Sequence, residues 1–368
     1  MAGNALNKQY IDLFNKNRSV LIYAEGAFGL KSREKLSARA KTADGVLRYA
    51  KYKISGVIDS LCREKEVSEV LHIGKRIPVF KTVAQAKKET KADTLLIGIA
   101  PEGGQLPNRF LKDILWALEN DIDIINGMHT SVCSFPRLKK TMEKNNRKVW
   151  ETRTPPANLP IAGCRVYQEI KKPVILTVGA DAAIGKLTAT YELAASAQKK
   201  GYKTQIIPTG QTAIMIEGWG IAIDKCEGDF MAGAVEKMIL DKKKENDPDI
   251  YFVEGQGSLF HPAYSTTSLA LIHGSCPTHL VLVLRPQRKR ITGCPLLPMP
   301  EIKKAVETYE NAVIPPFRKT KVVAIVLNTQ GLGEKQAREI IENIKKQTNL
   351  PTTDLIRWPE DWTELFMK

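Results

Sequence analysis

Residues 174–194 carry the densest chemistry in this chain. Val174 to Val178 reads as a buried strand, Gly179 to Ile184 as a turn of small residues, and Gly185-Lys186 as the opening of a helix. That order suits an anion. Small residues let successive backbone N–H groups turn toward one point, the helix N-terminus adds partial positive charge, and Lys186 adds a full one. The fit to G-x-x-x-x-G-K-[ST] is incomplete. Ala180 holds the first glycine place, with Gly179 just before it, and Leu187 holds the hydroxyl place, with Thr188 one position on. Phosphate binding by Gly179, Gly185, Lys186 and Thr188 is the reading favoured over an ordinary strand-to-helix turn. Asp181 lies inside the same turn, where a carboxylate orders Mg²⁺ or a substrate amine.

Other candidates follow apolar runs. Ile250 to Val253 ends at Glu254, the position from which a nucleotide-binding sheet holds Mg²⁺ against phosphates. Gly255, Gln256 and Gly257 then let backbone approach a ligand closely. His261 is the histidine near this strand tip, either a catalytic or substrate-binding group or a buried, capping one. Thr209, Gln211 and Thr212 follow the run Thr204 to Ile207 with donors for a phosphate, a metal-bound water or a substrate carboxylate. Asn328, past Val322 to Leu327, offers a donor and an acceptor to a purine edge. The basic cluster Arg285 to Arg290 (RPQRKR) follows Leu280 to Leu284, so it either faces an anion at a strand's carboxyl end or forms a surface loop. In the first half, Glu25, the glycines Gly103 and Gly104, and His129 also follow strand-like runs and are substrate-binding candidates.

These residues need a scaffold that presents strand ends. Apolar runs alternate with helical patterns throughout, which predicts α/β architecture with parallel sheets. Strands are expected at Val20–Tyr23, Ile54–Ile58, Val79–Phe80, Thr94–Ile99 and Ile122–Ile125, then at Val174–Val178, Thr204–Ile207, Ile250–Val253, Leu280–Leu284 and Val322–Leu327. A proline-rich stretch without periodicity, Trp150 to Pro160, reads as the linker. The fold class is therefore α/β with two domains: an N-terminal Rossmann-like parallel sheet over 1–152, and a C-terminal mononucleotide-binding parallel sheet over 153–368. The first half lacks G-x-G-x-x-G, although Asp59 ends a second strand where an acid can bond a ribose.

Composition narrows the partners. The chain has 368 residues, 43% of them hydrophobic, and a net charge of +15. The lysines are spread over helix-like stretches mixed with Glu, and no nucleic-acid-binding motif accompanies them, so a small anionic ligand is expected and not nucleic acid. No apolar run reaches the roughly 18 residues of a membrane span, and the N-terminus has no secretory pattern. Six scattered cysteines without a CxxC pair predict reduced thiols and a cytoplasmic setting.

The motifs VLIYAEGAFG, GVLRY, LLIGIAPEGGQLP, TVGADAAIGKLTATYEL, PTGQTAIMI, FVEGQGSLFHPAYS and VLNTQGL occur in that order. With them the chain resembles a bacterial uncharacterised-domain family that pairs a Rossmann-like domain with a P-loop domain and includes D-glutamate N-acetyltransferases. The resemblance runs from about Val20 to about Leu355 and implies a homo-oligomer. The second half is also similar to dethiobiotin synthetase, an ATP-dependent enzyme. That likeness implies that Lys186 and Thr188 grip phosphates, that Asp181, Glu254 and Thr188 order Mg²⁺, and that Asn328 reads a base. Relatives usually carry Thr at Ala180 and Cys or Thr at Ala182, so this chain departs from the pattern there.

Two enzymatic readings follow, both forming an amide on a small, acidic, amino-acid-like substrate. In the first, acetyl-CoA binds the phosphate loop, Glu254 or His261 deprotonates a substrate ammonium, and backbone N–H groups of 255–258 hold the oxyanion. In the second, ATP with Mg²⁺ occupies the loop and a carboxylate or carbamate is phosphorylated before an amine attacks. A nucleotide-regulated binding protein without turnover is the third possibility, suggested by Ala180, Ala182 and Leu187.

Overall fold

The computed structural model describes residues 18–30, 39–71, 73–101, 104–313 and 318–367. The chain forms two compact units, one of Met1–Pro156 with Gln211–Ala222, the other of Ala157–Gly210 with Ile223–Lys368.

The first unit is built on six parallel strands: β1 (Ser19–Tyr23), β2 (Lys53–Ile58), β3 (Val79–Phe80), β4 (Thr94–Ile97), β5 (Asp123–Asn126) and β6 (Val149–Glu151). Their order across the sheet is β3-β2-β1-β4-β5-β6. This is the doubly wound order of dinucleotide-binding folds, in which the chain starts at the centre and winds outward in both directions. β1 and β4 are buried along their whole length, as parallel strands covered by helices on both faces must be. The helix Lys41–Tyr49 buries Ala43, Val46 and Leu47, one face at helical spacing. Its entry needs Gly98, where a Cβ would overlap Ile22 and crowd Ala43.

β6 corrects the expected linker. Trp150 is buried in a strand whose register pairs Ile125 with it. The proline-rich stretch therefore begins only after this edge strand.

The second unit carries β7 (Val174–Gly179), β8 (Thr204–Ile207), β9 (Ile250–Val253), β10 (His279–Leu284), β11 (Lys321–Leu327) and β12 (Thr352–Thr353). All are parallel, in the order β12-β11-β10-β7-β9-β8. From β7 the chain runs out to β8, returns to β9 beside β7, and then crosses to β10 on the other side. The direction of winding reverses at β7, and ligands of open α/β sheets collect at the carboxyl ends beside such a reversal. The loops leaving β7, β9 and β10 all emerge there.

The helix Gln211–Glu217 does not stay with the strand that precedes it. It is part of the first unit, where Gln211 Nε2 donates to Thr42 Oγ1 at 3.2 Å and Arg153 Nε donates to Gln211 Oε1 at 2.7 Å. Tyr52 Oη donates to the Met215 carbonyl at 3.0 Å in the same unit. The chain thus makes an excursion over 211–222 that cuts across the contiguous second domain expected from the sequence.

Candidate phosphate-binding site

β7 ends at Gly179, whose carbonyl accepts a 2.7 Å bond from the buried Tyr309 hydroxyl. A Cβ on Gly179 would meet the Ile184 side chain at 2.6 Å and the Val283 carbonyl at 3.2 Å, so the strand can leave the sheet here only without a side chain. The turn closes with Ala183 at φ 50° and Gly185 at φ 112°. Gly185 suits that backbone because it has no Cβ to clash. The helix Lys186–Lys199 follows, with no side chain capping its N-terminus. That leaves its first N–H groups and their partial positive charge on the turn.

Lys186 is buried and folds back over the turn, its Nζ donating to the Asp181 carbonyl at 2.7 Å. The stem runs beside Gly255, where a Cβ would come 3.0 Å from Lys186 Cδ and would overlap the Thr177 carbonyl. Thr177 Oγ1 accepts from the Gly255 N–H at 3.0 Å and meets Thr190 Oγ1 at 2.9 Å, while Thr190 donates to the Lys186 carbonyl. This buried hydroxyl pair ties β7, the β9 loop and the first turn of the helix together. Thr188 lies half-buried on that same turn.

Glu254 is 2% exposed. Its Oε2 accepts from the N–H of Thr209 at 3.0 Å, from the Thr209 hydroxyl at 3.3 Å and from the N–H of Gly210 at 2.8 Å. Burial pushes its pKa up to about 7, against these bonds and one from Gln256, which favour the charged form. A carboxyl poised there can accept a proton near neutrality. Gly257, at φ 63°, turns the loop back toward Tyr264.

Asp181 is fully buried and both of its carboxylate oxygens accept hydrogen bonds. Oδ1 accepts from the Ala182 N–H at 2.7 Å; Oδ2 accepts from Arg288 Nη1 at 2.8 Å, the Thr292 N–H at 3.0 Å and the Thr292 hydroxyl at 2.8 Å. Burial acts to raise its pKa, and the bonds from Thr292, Arg288 and Ala182 outweigh it, so the carboxyl titrates below its ordinary range. His261 belongs to the same network. Its Nδ1 accepts the Ala263 N–H at 3.2 Å and its Nε2 lies 2.8 Å from the Thr292 carbonyl. A carbonyl only accepts, so Nε2 is the donor in that contact, and both ring nitrogens are engaged. His261, an expected base candidate, thus has both nitrogens engaged by protein groups and fastens the 285–292 loop while stacking on Tyr264 at 4.2 Å.

Two of the expected Mg²⁺ donors, Asp181 and Glu254, are hydrogen-bonded to protein groups, and the third, Thr188, stands one position past the usual hydroxyl place. Asp181 spends its oxygens on Arg288, Thr292 and Ala182, Glu254 accepts three bonds on one oxygen, and Leu187 fills the hydroxyl place. Among the described residues no three His, Cys, Asp or Glu side chains cluster as a metal site.

Asn328 closes the far side. Its Nδ2 donates to the Ile184 carbonyl at 3.3 Å, its Oδ1 accepts from the Gln330 N–H at 3.2 Å, and its Cβ lies 3.8 Å from the position a Cβ on Gly185 would take.

The remaining candidates fall in the first unit. Glu25 is held by Ser60, whose N–H and hydroxyl donate to its two oxygens at 2.8 and 2.5 Å. The N–H of the exposed His129 donates to the Gly104 carbonyl at 2.7 Å, and Gly104, at φ 64°, faces the imidazole so closely that a Cβ would overlap it. Gln211 and Thr212 sit on the excursion helix, and Gly103 lies outside the described residues. The structure thus gathers Gly179, Asp181, Gly185, Lys186, Thr188, Thr209, Glu254, Gly255, Gln256, Gly257, His261 and Asn328 on one unit. Sequence reasoning missed Thr177, Thr190, Thr292 and Tyr309, none of which stands in a recognisable pattern. Arg288 was visible only as one of several basic residues.

Among the described residues no helix is long and apolar enough to cross a membrane. Residues 160–362 match the family model described as "Domain of unknown function (DUF1611_C) P-loop domain", and residues 60–155 match "Domain of unknown function (DUF1611_N) Rossmann-like domain". A protein of Tritonibacter scottomollicae named D-glutamate N-acetyltransferase is 33% identical over 285 residues, 77% of this chain and 84% of its own length. A Pseudoalteromonas protein of the same name is 33% identical over 266 residues, 72% of this chain and 78% of its own. The crystal structure of a DUF1611 family protein from Anabaena variabilis superposes with a TM-score of 0.86 at 36% identity, over 93% of this chain and 97% of that one. The chain belongs to the DUF1611 family, with its Rossmann-like domain first and its P-loop domain second.

Proposed function

We propose that the protein is an N-acetyltransferase that moves the acetyl group of acetyl-CoA to the amino group of a small acidic amino acid of the glutamate type. The observation that carries this reading is Glu254: a buried carboxyl brought to about pKa 7 at the tip of a strand next to the phosphate loop. The names of the curated relatives support the same reaction. Lys186 and the uncapped helix N-terminus hold the anionic end of the coenzyme. Acetyl-CoA supplies an activated acyl group when bound. Glu254 takes one proton from the substrate ammonium, and the free amine then attacks the thioester carbonyl carbon. As the C–N bond forms the C–S bond breaks, and the coenzyme leaves as its thiolate, which takes up the second proton released by the amine. The backbone N–H groups of Gln256 and Gly257 lie on the adjoining loop, where they are suited to steady the developing oxyanion. Thr209 and Gly210 keep the Glu254 carboxylate oriented meanwhile.

The test is an incubation with acetyl-CoA and either D- or L-glutamate. Thiol release is followed continuously and the N-acetyl product is identified by mass. Coenzyme-dependent acetylation of one enantiomer is the expected result. Product formation that needs ATP and releases phosphate would replace this reading with the ligase one.

A further inference from the structure

We infer that Arg288 is the second cation of the phosphate loop: together with Lys186 it grips a linked diphosphate, and it does so in place of a divalent metal. This rests on the reading of the loop as the coenzyme site and names what holds the charge there.

Arg288 Nη1 is tethered twice, to Asp181 Oδ2 at 2.8 Å and to the Ala182 carbonyl at 2.7 Å, both inside the phosphate loop. Its side chain is only 18% exposed. Nε and Nη2 have no partner among the described residues, so more than half of the planar fork stays available beside the turn. A guanidinium offers five donors in a rigid fork matched to phosphate oxygens. One nitrogen anchors it here, which leaves the others for a ligand.

The segment bearing Arg288 is fixed independently. Thr292 donates twice to Asp181 and its carbonyl is bonded to His261. Fixing the guanidinium beforehand lowers the ordering cost of binding. Lys186, Arg288 and Asp181 leave one net positive charge at the turn, besides the helix N-terminus. A metal-dependent loop brings that charge as Mg²⁺ on a hydroxyl and a carboxylate. In this chain Leu187 replaces the hydroxyl, and the carboxylate inside the loop, Asp181, is held by Arg288 and Thr292. Arg288 supplies the missing counter-charge.

The experiment is isothermal titration of the full chain with pyrophosphate, ADP and coenzyme A, each in EDTA and in excess Mg²⁺. At least one diphosphate should bind, with a Kd that EDTA changes by less than about twofold. Arg288→Gln should weaken the same ligand by about 10- to 100-fold, the range of a charge-assisted, forked contact. Should that variant not fold, Arg288→Lys takes its place. It keeps the ion pair with Asp181 but spends its one nitrogen there, so a loss of at least about threefold is expected. Binding abolished by EDTA, or unchanged in the variant that folds, would overturn the inference while leaving the coenzyme reading intact. Failure of the wild type to bind any of the three ligands would overturn both. Preference among the ligands separates a coenzyme A site from a nucleotide site.

Discussion

Replacing Glu254 by Gln isolates the group on which the proposed chemistry turns. In the folded chain burial raises this carboxyl from the ordinary 4.5 to about 7. The unfolded chain therefore gives up the proton first. Stability contributed by the protonated group is full below about pH 4.5, falls as pH rises toward 7, and is flat above that. At about 1.36 kcal/mol per unit, the difference amounts to roughly 3 kcal/mol. The Gln variant has nothing to ionise, and its side-chain oxygen can still accept from Thr209 and Gly210. Its stability relative to wild type should rise by roughly that amount between about pH 4.5 and pH 8. For a unit of this size the melting-temperature difference should change by about 6–12 °C. Thermal and urea unfolding of both proteins across this pH range measures it. The wild-type rate of acetyl transfer should also show an acidic limb inflecting near pH 7, with about 100-fold or greater loss in the variant. Parallel stability profiles would refute the account of Glu254 as a buried group that resists ionisation.

Other substitutions probe the supports. Gly255→Ala puts a methyl group into the Thr177 carbonyl, a backbone atom that cannot give way; urea unfolding should show a loss of about 3 kcal/mol or more, or no soluble fold. His261→Ala should cost about 1–3 kcal/mol by releasing the Thr292 carbonyl and the Ala263 N–H. The pH profile of the reaction should keep its inflection if Glu254 alone is the base, since both ring nitrogens of His261 are held by protein groups; a lost limb would assign the proton transfer to His261. Lys186→Ala should abolish the thermal stabilisation given by coenzyme A, and retention of the full shift would remove the phosphate loop from the mechanism.

Much of this protein is legible in one dimension. Parallel strands covered on both faces are continuous apolar runs, so β1, β4, β7, β9 and β10 stand out from their neighbours. The order of small residues before Lys186, and of Glu254 before glycines, is legible because backbone turns and strand tips impose local rules on residue type. The short edge strands Val149–Glu151 and Thr352–Thr353 escape such rules, having too few residues to show a period.

The sequence by itself determined the fold class and the strand that ends in a turn of small residues before Lys186, since each follows from local periodicity and local backbone chemistry. Tertiary structure alone decided what the polar groups do. Arg288 and Thr292 reach Asp181 across 107 and 111 residues, and His261 meets Thr292 across 31. Those contacts hold Asp181 against an arginine and fasten a loop to His261. The helix Gln211–Glu217 likewise joins the first unit although it follows a strand of the second. A hydrogen bond forms wherever folding brings a donor to an acceptor, and spacing along the chain carries no record of that encounter.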